Sequence, residues 1–435
     1  MPEVERRRRL ERNLRLYPGY QLVLGFWPWI PVFFLYFSTR LSLDRVLLLE
    51  SIYYAAVVLL ELPSGYFSDR VGRRPTLLVS AACFIASYGL FYAGSSFAAF
   101  ALAQGLLAAG FAFNSGTDTS LHFDSLAALD RAHEYGQREA RAARMGFLAG
   151  ALGALTGGLA ASFALRLAYG LSLVSSVLLL GIVLAMAEPH PAEGRPRPAA
   201  PRILGQLRAC LAQLRRPDLA WLFAFAVAMT VLIHIPYELY QPYLDLLAVR
   251  RGGTSWAWGS GTLPVPLASG LIMAASMLIG SWVAARSIRF ADRRGTVVTL
   301  MLGLGFLVLL TGVMGRVLAG WVVGLILLRN VARALMVAPL NAAVTPRLPE
   351  GQRATYLSIQ SLAGRLAFSL TLVALSRLVG ADAQPGWAEL SRLLSLGAGL
   401  GAIGLMALGL TARWASVDGA ALSAEQAAPA RIDRR

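Results

Sequence analysis

The stretch Gly65-Tyr66-Phe67-Ser68-Asp69-Arg70-Val71-Gly72-Arg73-Arg74 decides the fold. It is short, charged and glycine-bearing, and it separates two long apolar runs, Val46–Pro63 and Pro75–Gly94. A stretch with this many charges is not stable in the hydrocarbon core of a bilayer, but its arginines can lie among the lipid headgroups. Its glycines permit a sharp reversal, and Pro75 suits the first turn of a helix. The sequence therefore predicts a tight loop at a membrane surface, between two spanning helices.

The composition of the chain is that of a membrane protein. Of its 435 residues, 56% are hydrophobic and 15% are charged, whereas soluble domains carry roughly 25% charged residues. The apolar residues come in blocks of about 20, the length that a helix needs to cross a bilayer. We therefore predict an all-α, multi-pass membrane protein.

The positive charge does not indicate a nucleic-acid partner. The net charge is +16, but the sequence contains no lysine, and its arginines are spread over many segments. The cysteines Cys83 and Cys210 form neither a disulfide framework nor a metal-ligand cluster. The sequence has no Walker loop, no nucleophile elbow and no HExxH motif. We expect no metal site, no cofactor and no enzymatic activity.

Twelve apolar segments are long enough to span a bilayer. They lie at about Gly19–Thr39, Val46–Phe67, Pro75–Gly94, Phe97–Leu126, Arg144–Leu165, Ala168–Ala187, Asp218–Val249, Leu263–Arg286, Thr296–Gly315, Ala319–Val344, Ala354–Val379 and Trp387–Ala412. The proline- and arginine-rich stretch after the sixth segment predicts a linker with one amphipathic helix, Ile203–Leu214. The predicted domains are an N-terminal six-helix bundle (1–187), the linker (188–217), a C-terminal six-helix bundle (218–412) and a tail (413–435).

The distribution of arginine predicts the orientation in the membrane. Positive residues accumulate in loops on the cytoplasmic side. If both termini lie on one side, the loops of the other side hold few arginines, namely Arg40, Arg45, Arg166, Arg250, Arg251, Arg316 and Arg377. Both termini, the linker and the loop after the second span are therefore predicted to be cytoplasmic.

The second half of the chain repeats the deciding stretch in decayed form. Asp292-Arg293-Arg294-Gly295 follows the eighth span, as Asp69-Arg70-Val71-Gly72 follows the second. A repeat at equivalent places in two halves predicts a build of six helices plus six.

Gly65-x-x-x-Asp69-Arg70-x-Gly72-Arg73-Arg74 resembles the signature loop of the major facilitator superfamily without a departure. The match in span count, linker and decayed second copy covers essentially the whole chain. Ser115-Gly116-Thr117-Asp118 and Phe123-Asp124-Ser125-Leu126 resemble a bacterial efflux-type branch, as does Glu61-Leu62-Pro63-Ser64-Gly65. The resemblance implies the major facilitator fold, with twelve transmembrane helices in two six-helix bundles.

The resemblance also implies alternating access, in which two bundles rock about a substrate site near the bilayer midplane. By position, Arg73 would pair with Asp124, and Asp69 would meet the N-terminal end of the eleventh span, where the helix dipole favours a carboxylate. Arg70 and Arg74 are expected to face headgroups. The implied cytoplasmic gate is Gly65, Asp69, Arg70, Gly72, Arg73, Arg74 and Asp124. The alternative, a loop that only anchors the topology, stays open.

Ionisable residues inside the spans are candidates for function. Asp118 and His122 lie four residues apart on the fourth span and hence on one face. Burial favours the protonated form of a carboxylate, a property that suits a proton-coupling group. The alternative is that Asp118 is permanently paired with an arginine and only holds helices together.

The tenth span carries a second pair of this kind, Arg329 and Arg333. A buried arginine needs partners, and Asp118 and Asp124 are the expected ones. The two arginines either form structural salt bridges or bind an anionic substrate.

The seventh span carries His234 and Glu238 on one face, together with Gln241. This polar, aromatic segment is either the rim of the cavity at its outer mouth or an interfacial aromatic belt. Glu50, on the second span, is expected near the outer surface, with its carboxylate reaching water.

The sequence thus predicts a secondary active transporter of the inner membrane, an antiporter that exports small amphipathic or drug-like molecules against protons. It would act as a monomer. One alternative is a permease for an organic anion held by Arg329 and Arg333. An alternative of another class is a non-transporting sensor or scaffold on the same fold, although an intact gate loop argues against it.

Overall fold

A computed structural model of the protein describes residues 3–189, 203–250, 255–258, 261–349, 352–379, 386–415 and 417. The predicted linker from 190 to 202, and the predicted tail apart from residues 413–415 and 417, lie outside these ranges. The helices are α1 Glu3–Leu24, α2 Phe33–Ser38, α3 Leu43–Val71, α4 Arg73–Ala93, α5 Phe97–Asn114, α6 Thr117–Ala127, α7 Tyr135–Phe163, α8 Arg166–Ala185, α9 Ile203–Ala212, α10 Pro217–Val249, α11 Val265–Arg294, α12 Thr296–Arg316, α13 Val322–Leu327, α14 Arg329–Val344, α15 Arg353–Ser376 and α16 Trp387–Ala415.

Strand β1 (Ser255–Trp258) pairs antiparallel with β2 (Gly261–Pro264), with Ser255 opposite Pro264 and Trp258 opposite Gly261. The sequence did not predict this hairpin between α10 and α11. Four short 3₁₀ turns complete the described elements, at Ile30–Val32, Ala132–Glu134, Gln213–Arg215 and Thr345–Arg347.

Eleven segments of the described chain are long and apolar enough to cross a membrane. They correspond to the second to twelfth predicted spans. The fourth of the twelve is divided into α5 and α6 by Gly116, which has a left-handed φ of 73°. The tenth is divided into α13 and α14 at Leu328. The first predicted span, Gly19–Thr39, is not one continuous helix.

The first span is broken because prolines interrupt it. Pro28 and Pro31 have no N–H to donate and disfavour helix on their N-terminal side, and α1 ends at Leu24 while α2 begins only at Phe33. Side chains from later helices satisfy the freed backbone: Gln241 donates to the Ile30 carbonyl at 3.0 Å, and Ser269 donates to the Pro31 carbonyl. Such partners are needed because hydrocarbon offers none. Gln241 is therefore a fully buried capping residue and not part of a rim.

The deciding stretch is not a ten-residue loop, which corrects the sequence prediction. Helix α3 continues through Gly65 and Asp69 to Val71, and α4 begins at Arg73, so that Gly72 alone is non-helical. Its φ of 120° and ψ of 163° belong to a region that only glycine occupies readily. The reversal is made by one residue.

The second copy of the repeat has the same geometry. Gly295 stands alone between α11 and α12 with a φ of 91°. The threonine four residues after each glycine donates to that glycine's carbonyl, Thr76 at 2.6 Å and Thr299 at 2.8 Å. The repeat thus includes a threonine that the sequence comparison of the two copies missed.

The chain packs as two compact units. The first contains α1–α8 and two later stretches, Glu238–Met277 and Phe368–Leu390. In it α4 packs against α5 and α8, and α1 packs against α7. The second contains α9, the beginning of α10 up to Tyr237, Leu278–Ala367, and α16 from Ser391; in it α12 packs against α14. The division into bundles at 1–187 and 218–412 stays a prediction.

Candidate functional site

The turn at Gly72 is held by a carboxylate from beyond α8. Glu188 accepts the backbone N–H of Arg73 at 2.8 Å and that of Arg74 at 2.6 Å. These are free N–H groups of the first turn of α4, where a negative charge is also favoured by the helix dipole. This contact could not be predicted from the sequence, because Glu188 is distant along the chain and lies at the start of the predicted linker.

Arg73 binds several partners at once. Its Nη1 donates to Asp69 at 2.7 Å and to Ser68 at 2.9 Å, and its Nε donates to Asp124 at 3.4 Å. The structure thus brings Arg73 and Asp124 together, as the resemblance implied. The side chains of Arg73, Asp69 and Asp124 are 24%, 70% and 40% exposed, and ion pairs this exposed are weak. The cluster suits a contact that forms and opens repeatedly.

The other gate residues differ in their surroundings. The exposed Arg70 lies over the ring of Tyr66, 5.2 Å from its centroid. Arg74 donates to the carbonyls of Val183 and Leu184 at the end of α8; that it also faces headgroups stays a prediction. A cation is favoured at such a helix C-terminus. Gly65 has no atom within 4 Å of the position that a Cβ would take, so no neighbouring helix of the described chain packs closely against it.

Asp118 lies in a buried polar network between α1, α6 and α7, which we call the Asp118 network (Tyr17, Gln21, Asp118, His122 and Glu139). Gln21 donates to the Asp118 carboxylate at 2.8 Å and to the Tyr17 hydroxyl at 2.9 Å. Tyr17 donates to Glu139 at 3.1 Å, and His122 Nδ1 lies 3.2 Å from the same oxygen. The rings of Tyr17 and His122 stack at 3.9 Å. Asp118 and His122 are 7% and 1% exposed.

The break at Gly116 places Asp118 in this network. Because α6 begins at Thr117, Asp118 is its second residue. A carboxylate at a helix start is favoured by the free N–H groups and by the helix dipole there. The hydrogen bond that the Asp118 carboxylate accepts comes from a neutral donor, the side-chain amide of Gln21. The sequence predicted Asp118 and His122 but missed Tyr17, Gln21 and Glu139.

Two further buried carboxyls lie elsewhere in the first unit. Glu238, on α10, is 1% exposed and accepts a hydrogen bond of 3.2 Å from the Tyr54 hydroxyl. Glu50, on α3, is 6% exposed and accepts one of 2.8 Å from Gln104. The expectation that the Glu50 carboxylate reaches water is therefore wrong, because Gln104 provides a partner for it inside the protein.

The predicted basic residues His234, Arg329 and Arg333 lie in the second unit, on α10 and α14. Arg329 is 5% exposed and lies over the ring of Tyr237, 5.4 Å from its centroid. His234 Nδ1 lies 2.6 Å from the Thr230 carbonyl. The charges of Arg333 and Arg365 act on His234. The unit therefore concentrates positive charge beside an aromatic ring.

Within the described ranges, no group of three or more His, Cys, Asp or Glu side chains is placed to hold a metal ion. The arrangement offers proton-binding groups, hydrogen-bond partners and aromatic surface.

Known proteins resemble this chain in sequence and in fold. The family model of the Major Facilitator Superfamily matches residues 20–372. A point variant of the nucleoside transporter NupG superposes with a TM-score of 0.77 at 14% identity, covering 92% of this chain and 99% of that chain. The peptide transporter POT in complex with sulfate superposes with a TM-score of 0.68 at 15% identity, covering 93% of this chain and 94% of that chain. A POT family transporter in complex with a thioalcohol conjugated peptide superposes with a TM-score of 0.67 at 12% identity, covering 94% of this chain and 97% of that chain. No relative is found among curated proteins. At these identities the structural likeness concerns the fold alone.

Proposed function

The chain belongs to the major facilitator superfamily, and from this premise we propose that it is a proton-coupled secondary transporter of a bacterial efflux-type branch. It works by alternating access and exports small amphipathic or drug-like molecules across the inner membrane. Both termini are cytoplasmic, and the monomer is the working unit.

The observation that carries the proposal is the contact between Gln21 and Asp118. A carboxylate paired with a guanidinium is held ionised by the opposite charge. The amide of Gln21 is neutral, and it can donate to either protonation state of Asp118. A carboxyl in this setting can therefore take up and release a proton without breaking an ion pair.

The Asp118 network also gives Asp118 a connection to water. Hydrogen bonds run from Asp118 through Gln21 and Tyr17 to Glu139. The side chain of Glu139 is 28% exposed, so this end of the chain of hydrogen bonds is wet. His122 contacts the same carboxylate and can hold its proton or release it. These hydrogen bonds hold Asp118 and Glu139 in one network, although the amide of Gln21 does not itself carry a proton between them.

Aromatic side chains support a lipophilic substrate. Trp27, in the break of the first span, meets the ring of Phe111 edge-on at 5.9 Å. Tyr53 meets the same ring at 6.4 Å. Aromatic faces attract apolar groups and also cations. We therefore propose a substrate that is apolar or carries one positive charge.

The Arg73 cluster keeps the gate residues of the first unit together. Its contacts join α3, α4 and α6 through partly exposed charges, which contribute only about 0–1 kcal/mol each. Contacts this weak can be exchanged for others when the transporter changes state. The predicted contact of Asp69 with the start of α15 belongs to the same proposal.

A second candidate, an organic-anion permease, is favoured by one observation. Arg329 is buried beside Tyr237, and Arg333 and Arg365 act electrostatically on His234. Guanidinium groups bind carboxylates and phosphates well. In this alternative the arginines hold the substrate.

Transport and binding by the purified protein test both candidates. In proteoliposomes, an imposed proton gradient should drive a labelled lipophilic cation, and the same compound should bind more tightly than carboxylates or phosphates. Preferential binding of carboxylates or phosphates would favour the permease. If no compound moved under any ion gradient, the sensor alternative would replace both.

A further inference from the structure

Two carboxyl groups that belong to neither the Arg73 cluster nor the Asp118 network meet inside the first unit. Glu50 comes from α3 and Glu238 from α10, and they are 6% and 1% exposed. Tyr54, one helical turn after Glu50 on α3, donates to Glu238 at 3.2 Å, so the two carboxyls lie in the same part of the unit. They are 188 positions apart along the chain, which is why no motif reveals them as a pair.

Their surroundings are polar but uncharged. Gln104 donates to one oxygen of Glu50 at 2.8 Å, and Tyr54 donates to Oε1 of Glu238 at 3.2 Å. Oε2 of Glu238 has no hydrogen-bond partner among the described residues. Across the same part of the chain, no ion pair involves Glu50 or Glu238. Tyr54 is an ionisable group in hydrogen-bond contact with the pair.

Two negative charges are not stable in such a place. An ionised carboxylate without a cation loses several kcal/mol when it leaves water, and two that share a site repel each other as well. The oxygen of Glu238 that lacks a donor increases this penalty. The pair as it is packed here therefore requires at least one bound proton.

Residues beside the carboxyl pair join helices from distant parts of the chain. Ser51, next to Glu50, has its hydroxyl 3.1 Å from that of Ser369 on α15. Tyr54 meets the ring of Phe368 edge-on at 4.9 Å. The carboxyl pair is thus embedded where α3 packs against α10 from Glu238 onward and against α15.

We propose that Glu50 and Glu238 form a second proton-binding site, one that holds α3 against α10 and α15 while protonated and lets them separate when both carboxyls ionise. The inference rests on the proposed function, since alternating access requires contacts of this kind to open. It adds Glu50 to the proton-coupling residues and gives Glu238 a partner. The ligand proposed is the proton, because Gln104 presents an N–H and Tyr54 an O–H to the two carboxyls, as donors and not as oxygen ligands.

Infrared spectroscopy of the purified protein tests the bound proton. The protonated-carboxyl C=O band is followed from acid to alkaline pH in wild type, Glu50→Gln, Glu238→Gln and the double variant. Each protein also carries Asp118→Asn, which removes that carboxyl from the spectrum. We expect a band at neutral pH that disappears at alkaline pH and is lost in the double variant. Glu61→Gln, on the same helix and partly exposed, is the matched control and should retain the band.

Spin labels test the separation of the helices. Leu48→Cys on α3 and Leu370→Cys on α15 are exposed positions near the pair, and Cys83 and Cys210 are replaced by serine. The distance between labels should lengthen at alkaline pH, and the double glutamine variant should keep the short distance at every pH.

Absence of the band from the protein with Glu50 and Glu238 intact at neutral pH would overturn the proposal, even if the double variant failed to fold. An undiminished band in the folded double variant would do the same. Neither readout needs a substrate. If both expected results were obtained but proton-driven transport were absent, the pair would be a proton site and the proposed transport function would fail alone.

Discussion

Gln21 on α1 donates a hydrogen bond of 2.8 Å to Asp118 on α6, although 97 positions separate the two residues. The bond joins the C-terminal part of α1, next to the break in the first span, to the beginning of α6, which follows Gly116. Both breaks come from residues that cannot continue a helix easily, prolines in one case and a left-handed glycine in the other. The proton-coupling candidate therefore lies where the chain interrupts two of its spans.

Gly72 should not tolerate a side chain, whereas Gly65 should. Gly72→Ala forces a φ of 120° on alanine and brings its Cβ to 2.9 Å from Glu188. The backbone strain alone costs about 1–3 kcal/mol. Gly65 lies within α3 with open space around it, and alanine there gains about 0.5–1 kcal/mol in helix preference. Thermal unfolding of the purified variants should show a lower Tm for Gly72→Ala only; equal Tm values would disprove the one-residue turn.

Arg73 should require a guanidinium. Arg73→Lys keeps the charge but cannot serve Asp69, Ser68 and Asp124 together. Loss of one or two of these bonds, about 1.4 kcal/mol, shifts the balance between closed and open states roughly tenfold. We expect transport to fall by about that factor while Tm changes little, because the contacts are partly exposed. Arg70→Lys is the matched control, since among the described residues the Arg70 guanidinium lies over a tyrosine ring and forms no ion pair. Equal loss in both variants would argue against a specific role of Arg73.

Gly157 should be indispensable for packing α7 against the broken first span. A Cβ at Gly157 would overlap the carbonyl of Pro28, a backbone atom that cannot move aside. Overpacking of this kind costs about 1–3 kcal/mol, occasionally more. Gly157→Ala should therefore lower the Tm or prevent folding, as judged by size-exclusion chromatography and thermal unfolding. Gly181→Ala, on α8 with no atom within 4 Å, should behave as wild type.

The sequence predicted most of the fold. Apolar block lengths located the second to twelfth spans, and the loop resemblance named the major facilitator fold, which is confirmed. Block length could not predict the break at Trp27–Trp29, because apolar residues continue through it. It also could not show that α3 remains helical to Val71, since charge and glycine together resemble a loop.

The sequence predicted less of the site. Asp118 stands out as an ionisable residue in an apolar span, and the resemblance of the loop implies the pair Arg73 and Asp124. Their neutral partners, such as Gln21 and Gln104, carry no comparable signal in an uncharged span. Glu50 was placed at the surface because its position along α3 says nothing about which helices cover it. Those contacts join residues that are distant along the chain, and only the packed structure brings them together.

The most direct test compares two kinds of transport by Asp118→Asn in proteoliposomes. Asparagine keeps the size and can still accept from Gln21, but it cannot bind a proton. We predict that exchange of labelled for unlabelled substrate persists, whereas accumulation driven by a proton gradient is lost. Undiminished proton-driven accumulation in Asp118→Asn would contradict the central claim that Asp118 couples proton movement to transport.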